Sequence, residues 1–140
     1  MYAEGRGVEQ NLSVAVKMLA QSCELKEGAS CGAAAYLLRS QNPPDYESSL
    51  TYARKGCTIG NLDACAQEAF VYTQSPRVNF PQAAKLFKDN CARNHAKSCF
   101  NYAAMLHQGQ GVTQNPDEAL RVMNHACVLG DEGACAVLSR

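Results

Sequence analysis

The segment CARNHAKSC, residues 91–99, carries the pattern that decides the fold: two cysteines eight positions apart with a turn-forming centre. The same spacing occurs in three other places, and successive pairs are 34, 34 and 36 residues apart. The four pairs are Cys23/Cys31, Cys57/Cys65, Cys91/Cys99 and Cys127/Cys135. A regular period of this length indicates a repeat protein in which one supersecondary unit recurs along the chain.

The spacing within each pair indicates a turn between the two cysteines. On one continuous helix they would be separated by about 12 Å of rise, whereas a disulfide needs roughly 4.4–6.8 Å between α-carbons. Each intervening segment contains a Gly or Asn suited to a left-handed helix cap. We therefore favour a disulfide across each helix–helix corner. Free thiols and metal ligation are the alternatives, and zinc is disfavoured because its cysteine ligands usually lie two to four residues apart.

Apolar periodicity and capping residues predict two helices per unit. The first helices are expected to start at Cys31, Cys65 and Cys99, and the second helices to run from Leu12, Tyr46, Pro81 and Pro116 to the next cysteine. Predicted N-caps of the second helices are Asn11, Asp45, Asn79 and Asn115. The glycine pairs at residues 5–7 and 109–111 are predicted to be structural turns, because neither follows a strand or completes a dinucleotide fingerprint.

These elements predict an all-α fold, an α/α superhelical solenoid of about four helix-turn-helix repeats, each stapled by a disulfide. We expect a single repeat domain over residues 1–140, with units at about 1–30 (partial), 31–64, 65–98 and 99–134, and the start of a further helix at 135–140, opened by Cys135. Aligning residues 5–8 with 109–112 places the first residues at the end of a helix. We therefore expect more repeats in the parent protein.

Composition narrows the class of partner and the compartment. The formal net charge is zero, the sequence pI is about 6.8, and no apolar run approaches 18 residues, so neither nucleic-acid binding nor a membrane span is expected. Paired cysteines in this number indicate an oxidising compartment: the periplasm or a secreted setting, or less readily the mitochondrial intermembrane space. The N-terminus lacks the features of a signal peptide. The sequence implies no cofactor and leaves the oligomeric state open.

The run Ala-x3-(Leu/Phe/Met)-x3-Cys-x7-Cys, joined to Gly-x-Gly-Val, resembles the Sel1-like repeat, a relative of the tetratricopeptide repeat. Two cysteines per repeat are similar to the staple of the Helicobacter cysteine-rich proteins. The resemblance implies a right-handed superhelix with a concave groove, secreted or periplasmic, in a family whose members are mostly adaptors. Some cysteine-rich members are described as penicillin-binding proteins with weak β-lactamase activity. The two middle units depart from the pattern because they lack the glycine turn.

The resemblance also indicates where a partner would bind. First helices line the concave wall in tetratricopeptide-like folds, and offsets of +2, +5 and +9 from the second cysteine lie opposite the packing face. The predicted peptide-binding residues are therefore Ala33, Tyr36, Gln67, Phe70, Gln74, Asn101 and Gln108. Tyr36 and Phe70 would be anchors and the amides would pair with a peptide backbone. The alternative is that the two aromatic side chains pack against a neighbouring repeat.

Catalytic motifs give little support to an enzyme. Ser-x-x-Lys, Ser-Asp-Asn, Lys-Thr-Gly and His-Glu-x-x-His are absent. His95, His107 and His125 are expected to be structural or solvated, with no catalytic or metal-binding role, and His95 is expected in a solvated turn. We expect a scaffold that binds a protein or extended peptide. The alternatives are an enzyme or small-molecule binder acting on β-lactams or peptidoglycan fragments and, below it, redox or haem handling in the intermembrane space.

Overall fold

The computed structural model describes residues 2–74, 76 and 78–139, with side chains from residue 11 onward. Within these ranges the chain forms eight α-helices and no strand. The helices are α1 (Tyr2–Glu24), α2 (Gly28–Ser40), α3 (Tyr46–Ile59), α4 (Leu62–Gln74), α5 (Phe80–Ala92), α6 (Ala96–Gln108), α7 (Pro116–Val128) and α8 (Glu132–Leu138). The all-α repeat class predicted from the sequence is confirmed.

The chain divides into two compact units, Met1–Val71 and Tyr72–Arg140, and the division falls inside α4. In the first unit α2 packs against α1 and α3, and in the second α6 packs against α5 and α7. The unit boundaries predicted from the cysteine period, and the single domain, stay a prediction.

All four predicted disulfides are present, so the free-thiol and metal alternatives do not describe this structure. The α-carbons of each pair are 4.5–4.7 Å apart, within the ordinary range for a disulfide. Each bridge joins the end of one helix to the first turns of the next, as the spacing predicts. The bridges are Cys23–Cys31 from α1 to α2, Cys57–Cys65 from α3 to α4, Cys91–Cys99 from α5 to α6, and Cys127–Cys135 from α7 to α8.

Each corner contains a left-handed residue three positions after the first cysteine. The residues are Lys26, Gly60, Asn94 and Gly130. Their amides donate to the carbonyl of that cysteine at 2.8–2.9 Å, a tight turn that satisfies a helix-end acceptor. The first corner differs from expectation, because Lys26 rather than Gly28 adopts the left-handed conformation and Gly28 instead begins α2.

The prediction that the first helices start at the second cysteine is wrong by three residues, since α2, α4 and α6 all begin before it. Asn61 and His95 explain this for α4 and α6, because they accept hydrogen bonds from the amides of Ala64 and Ser98, whereas the N-cap of α2, Glu27, makes no side-chain cap hydrogen bond. A side-chain acceptor at the N-cap satisfies a helix amide and allows the helix to begin there. His95 is therefore a half-buried N-cap and not a solvated turn residue.

The last corner needs the same correction at Cys135. Its disulfide partner Cys127 is the one predicted, but the expected helix start at Cys135 is wrong, because α8 begins at Glu132. Asp131 is the reason, since its carboxylate accepts from the amide of Ala134 at 2.8 Å and so caps the helix before the cysteine is reached. Cys135 is half-buried, whereas the second cysteines of the other three pairs are buried. The last bridge is therefore less covered than the others.

Three of the four predicted caps on the second helices are confirmed. Asp45, Asn79 and Asn115 accept from the amide three residues on, at 3.1–3.2 Å. Asn11 is wrong, because it lies inside α1, which also runs through the glycines predicted to form a turn at residues 5–7. Glycine accepts helical dihedrals as readily as left-handed ones, and no proline follows Asn11 to interrupt the helix.

The second glycine turn behaves as predicted. Gly109 caps α6 in the left-handed conformation, and Gly111 is also left-handed. A β-carbon on Gly111 would collide with the backbone of Phe80 and lie 2.7 Å from the amide nitrogen of Pro81. Only glycine fits where the loop crosses the start of α5 this closely.

Small side chains allow the helices to approach closely. Of the buried apolar residues, twelve are alanines, each 6% exposed or less: Ala34, Ala35, Ala53, Ala64, Ala66, Ala69, Ala83, Ala84, Ala103, Ala119, Ala126 and Ala134. Phe87 and Val71 are the largest side chains that are almost fully buried. Among the described residues, no helix combines the length and the apolar character that a bilayer crossing needs.

Candidate functional site

Three side chains of α2 and α4 meet around Arg39, and we call the group of four the aromatic–arginine cluster: Tyr36, Arg39, Gln67 and Phe70. The guanidinium carbon of Arg39 lies 5.5 Å from the ring centroid of Tyr36 and 4.9 Å from that of Phe70. Arg39 Nε donates to Gln67 Oε1 at 3.0 Å. Cation–π contacts with two rings, plus a hydrogen bond, hold a long flexible side chain in one orientation.

Local sequence explains why these four residues converge. Tyr36 and Arg39 are three positions apart on α2, and Gln67 and Phe70 have the same spacing on α4, so each pair lies on one helix face. The disulfide Cys57–Cys65 fixes α4 to α3, and the close approach of Gly32 to Ala64 brings α4 against α2. A β-carbon on Gly32 would lie 3.2 Å from the amide nitrogen of Ala64. The two faces are therefore held together by backbone packing.

Burial within the cluster alters the electrostatics of Arg39. Desolvation lowers the pKa of the guanidinium from its ordinary value, and the neighbouring Tyr36 and Tyr46 partly oppose this. An arginine remains protonated under all physiological conditions, so the site is a fixed, partly desolvated positive charge. Tyr36 is 49% exposed, which leaves part of its surface open to solvent.

The structure brings together three of the seven predicted binding residues, because Tyr36, Gln67 and Phe70 all contact Arg39. Ala33 is half-buried one turn before Tyr36. The expected role of Gln67 changes, since its carbonyl oxygen accepts from Arg39. Both aromatic residues pack against Arg39, and neither is fully buried: Phe70 is half-buried and Tyr36 is half-exposed.

The other three predicted binding residues belong to the second unit. Gln74 and Gln108 are exposed at the C-terminal ends of α4 and α6. Asn101 is half-buried, and its amide nitrogen donates to the carbonyl of Lys97 on its own helix at 2.9 Å. Their role in binding stays a prediction.

Among the described residues, one group of three side chains has the donor types that hold a metal. The sulfurs of Cys91 and Cys99 and a ring nitrogen of His125 all lie within 4.8 Å of one another. The two sulfurs are bonded to each other, and a disulfide sulfur is a poor ligand because metals bind the thiolate. His107, by contrast, is exposed in the last turn of α6.

Residues Gly28–Gly32 spell Gly-x-Ser-x-Gly, the pattern of a hydrolase nucleophile elbow. In this structure the segment forms the first turns of α2 and follows a helical corner, with no strand before it. A nucleophile elbow requires a sharp strand-to-helix turn that exposes the serine. The segment therefore lacks the geometry of that motif.

Sequence reasoning missed Arg39 and the proximity of His125 to the Cys91–Cys99 bridge. The signal for Arg39 was its three-residue spacing from Tyr36, which matches that of Gln67 and Phe70. His125 lies 34 residues after Cys91, one repeat length along the chain.

Comparison with known proteins adds to this geometry. The Sel1 repeat model matches residues 1–27 and 96–121. Cytochrome c oxidase assembly factor 7 of Xenopus tropicalis is 30% identical over 146 aligned positions, covering 95% of this chain and 63% of that protein. Factor 7A of Xenopus laevis is 27% identical with the same coverage. The chain thus spans less than two thirds of the length of the curated relatives it matches.

Solved structures show the same fold. Helicobacter pylori cysteine rich protein B superposes with a TM-score of 0.72 at 24% identity, covering 93% of this chain and 96% of that one. A Sel1 repeat protein from Oxalobacter formigenes superposes with a TM-score of 0.80 at 19% identity, covering 89% of this chain and 51% of that one. At these identities the likeness establishes the architecture alone.

Proposed function

The chain is a Sel1-repeat protein, and from this premise we propose that it is a protein–protein interaction scaffold that binds a peptide or protein segment at the aromatic–arginine cluster. The repeat fold is consistent with protein–protein interaction. Stacked helical hairpins present extended surfaces, and function in such proteins lies in the surface residues.

The observation that carries the proposal is the position of Arg39 against the rings of Tyr36 and Phe70, of which Tyr36 is half-exposed. Tyrosine and arginine are enriched among the residues that dominate binding energy at protein interfaces. An arginine already held in one orientation loses less conformational entropy when a partner binds. The cluster thus combines a preorganised positive charge with an aromatic surface.

This chemistry favours a partner segment that has an apolar side chain for the aromatic surface and an acceptor group near the guanidinium. A planar guanidinium recognises carboxylate and carbonyl oxygens through paired N–H groups. We propose an extended peptide of this kind as the ligand of the cluster.

A displayed library of random peptides, selected against the oxidised full chain, tests the proposal. Selected peptides are synthesised with a fluorophore and their Kd is measured by anisotropy. We expect Tyr36→Ala to weaken binding about 30-fold, the equivalent of a 2 kcal/mol interface residue. Arg39→Lys should also weaken it, because lysine keeps the charge but lacks the planar fork.

Arg121→Ala is the matched control, since this arginine is exposed on α7. Circular dichroism of each variant confirms that the helices remain. Equal affinity of the parent and Tyr36→Ala for every selected peptide would show that binding does not use the cluster.

A second, more specific candidate comes from the 30% identity across 95% of the chain with an assembly factor. We propose as this alternative that the partner is a protein involved in the assembly of cytochrome c oxidase. The test expresses the full-length protein in cells that lack the corresponding assembly factor and measures assembled cytochrome c oxidase. Stable expression without any recovery of the oxidase would eliminate this candidate and leave the general scaffold function intact.

The four disulfides fit an oxidising compartment. We propose the periplasm or the extracellular space, as the sequence predicts, with the mitochondrial intermembrane space as the alternative. Fractionation of cells that express the full-length protein, followed by thiol labelling without reductant, tests the proposal. Recovery in a reducing compartment would contradict it.

A further inference from the structure

We infer that Cys91, Cys99 and His125 form a metal site for a divalent ion of the Zn²⁺ class when the Cys91–Cys99 bridge is reduced. The two sulfurs and a ring nitrogen of the histidine already lie within 4.8 Å of one another. Two thiolates and one imidazole are a donor set that suits zinc. Disulfide and metal would thus be alternative occupants of the same two sulfurs.

The three ligand atoms need only small movements to reach the separations of a tetrahedral zinc site. Zinc bonds of about 2.3 Å to sulfur and 2.0–2.1 Å to nitrogen place the ligands of a tetrahedral site about 3.3–3.8 Å apart. Once the bridge opens, the sulfurs separate from bonding distance, and the histidine nitrogen has to move by only about 1 Å. His125 is exposed, so its ring can turn without displacing core side chains. Three protein ligands leave one position open for water.

The surroundings favour a neutralising cation over two bare thiolates. Cys91 and Cys99 are buried with Ala126 and Ala134, and Val122 is among the partly buried side chains that pack against them. A thiolate in an apolar environment is unfavourable unless a positive charge is nearby. A bound Zn²⁺ supplies that charge directly.

Only one of the four repeats has a histidine two residues before the first cysteine of its pair. His125 lies two residues before Cys127, and the matching positions before Cys23, Cys57 and Cys91 are Gln21, Lys55 and Asp89. In the first unit, Lys55 forms an ion pair with Glu24. The other bridges thus serve as internal controls.

The chemistry balances with a dithiol reductant. Its two thiols become a disulfide, and the two electrons convert the bridge into the thiols of Cys91 and Cys99. One Zn²⁺ then binds both sulfurs as thiolates, their two protons pass to solvent, and the neutral imidazole contributes a nitrogen lone pair. Oxidation of the thiols reverses the exchange and releases the ion.

The test uses the full chain, reduced with a phosphine under anaerobic conditions, freed of reductant and titrated with Co²⁺ as the probe. We expect one tightly bound ion per chain, with thiolate-to-cobalt charge-transfer bands and tetrahedral d–d bands, and displacement by Zn²⁺. His125→Ala should weaken binding more than tenfold, because outer-shell partners of a metal site alone account for 10- to 100-fold. His107→Ala is the matched control and should bind like the parent.

A second measurement keeps the inference testable if reduction unfolds the chain. Alkylation followed by mass spectrometry should show that Zn²⁺ protects Cys91 and Cys99 from modification more than Cys57 and Cys65, and that His125→Ala removes the difference. Equal protection of all pairs, or Co²⁺ affinity that is the same in the parent and His125→Ala, would overturn the inference. Circular dichroism shows whether the reduced chain is folded in each experiment. Binding that does not depend on His125 overturns the inference whether the chain is folded or not.

Discussion

Gly56 is the position where helix propensity and packing make opposite predictions. It lies in α3, immediately before Cys57, where α3 crosses α2 and α4. A β-carbon there would lie 2.8 Å from the β-carbon of Cys31 and 3.1 Å from the carbonyl oxygen of Gly28, and would collide with the β-carbon of Ala64. Carbon atoms normally make contact at about 3.5–4.0 Å.

The magnitude for Gly56→Ala follows from the two opposing effects. Replacing glycine by alanine inside a helix stabilises it by about 1 kcal/mol. Overpacking costs about 1–3 kcal/mol, and we expect the upper end because the three neighbours are backbone or β-carbon atoms that cannot rotate away. The net expectation is a loss of about 2 kcal/mol, a factor of about 30 in the folding equilibrium.

Urea unfolding of the oxidised chain, followed by far-ultraviolet circular dichroism, measures this change. The midpoint should fall while the slope stays constant. A double-mutant cycle provides the control: Ala64→Gly alone should cost about 1 kcal/mol, and in its background Gly56→Ala should be less harmful by more than about 1 kcal/mol. The rescue by Ala64→Gly should be partial, because the close contact between the new β-carbon and that of Cys31 remains. An unchanged or raised stability of Gly56→Ala would refute the packing argument.

Three further predictions follow from the structure. Thiol titration of the denatured, unreduced protein should find no free sulfhydryl among the eight cysteines, and an intact mass with eight additional hydrogens would contradict the bridges. Asp45→Ala should lower the free energy of unfolding by about 1 kcal/mol, because Asp45 caps α3 through the Ser48 amide; Asp45→Asn should restore most of it, and equal losses for the two would argue against the cap. Purified protein should not turn over nitrocefin, and turnover that survives repurification would favour the β-lactam alternative.

Several features of the fold could be predicted from the sequence because they depend on local geometry. The eight-residue cysteine spacing requires a corner and excludes a continuous helix. Asp45, Asn79 and Asn115 cap helices through the amide three residues on, a contact that needs no information from elsewhere in the chain. The helix starts placed at Cys65, Cys99 and Cys135 were wrong for a similar local reason, because the caps Asn61, His95 and Asp131 were not recognised.

The glycine turn predicted at residues 5–7 was wrong, because glycine permits more than one backbone conformation. Gly111 is left-handed where the loop passes directly over the backbone of Phe80. The similar glycines at residues 5–7 continue α1 as helix. Glycine permits both conformations, so its presence alone could not distinguish them.

What the sequence determined by itself was the repeat, its helical corners and the pairing of its cysteines, since each follows from distances along one or two helix turns. Only the tertiary structure decided that Arg39 lies against Tyr36 and Phe70, and that His125 lies beside the Cys91–Cys99 bridge. Arg39 and Phe70 are 31 positions apart, and His125 lies 34 and 26 positions after Cys91 and Cys99. These contacts depend on how closely two helices approach and on which faces meet, and small side chains at the helix crossings set that approach.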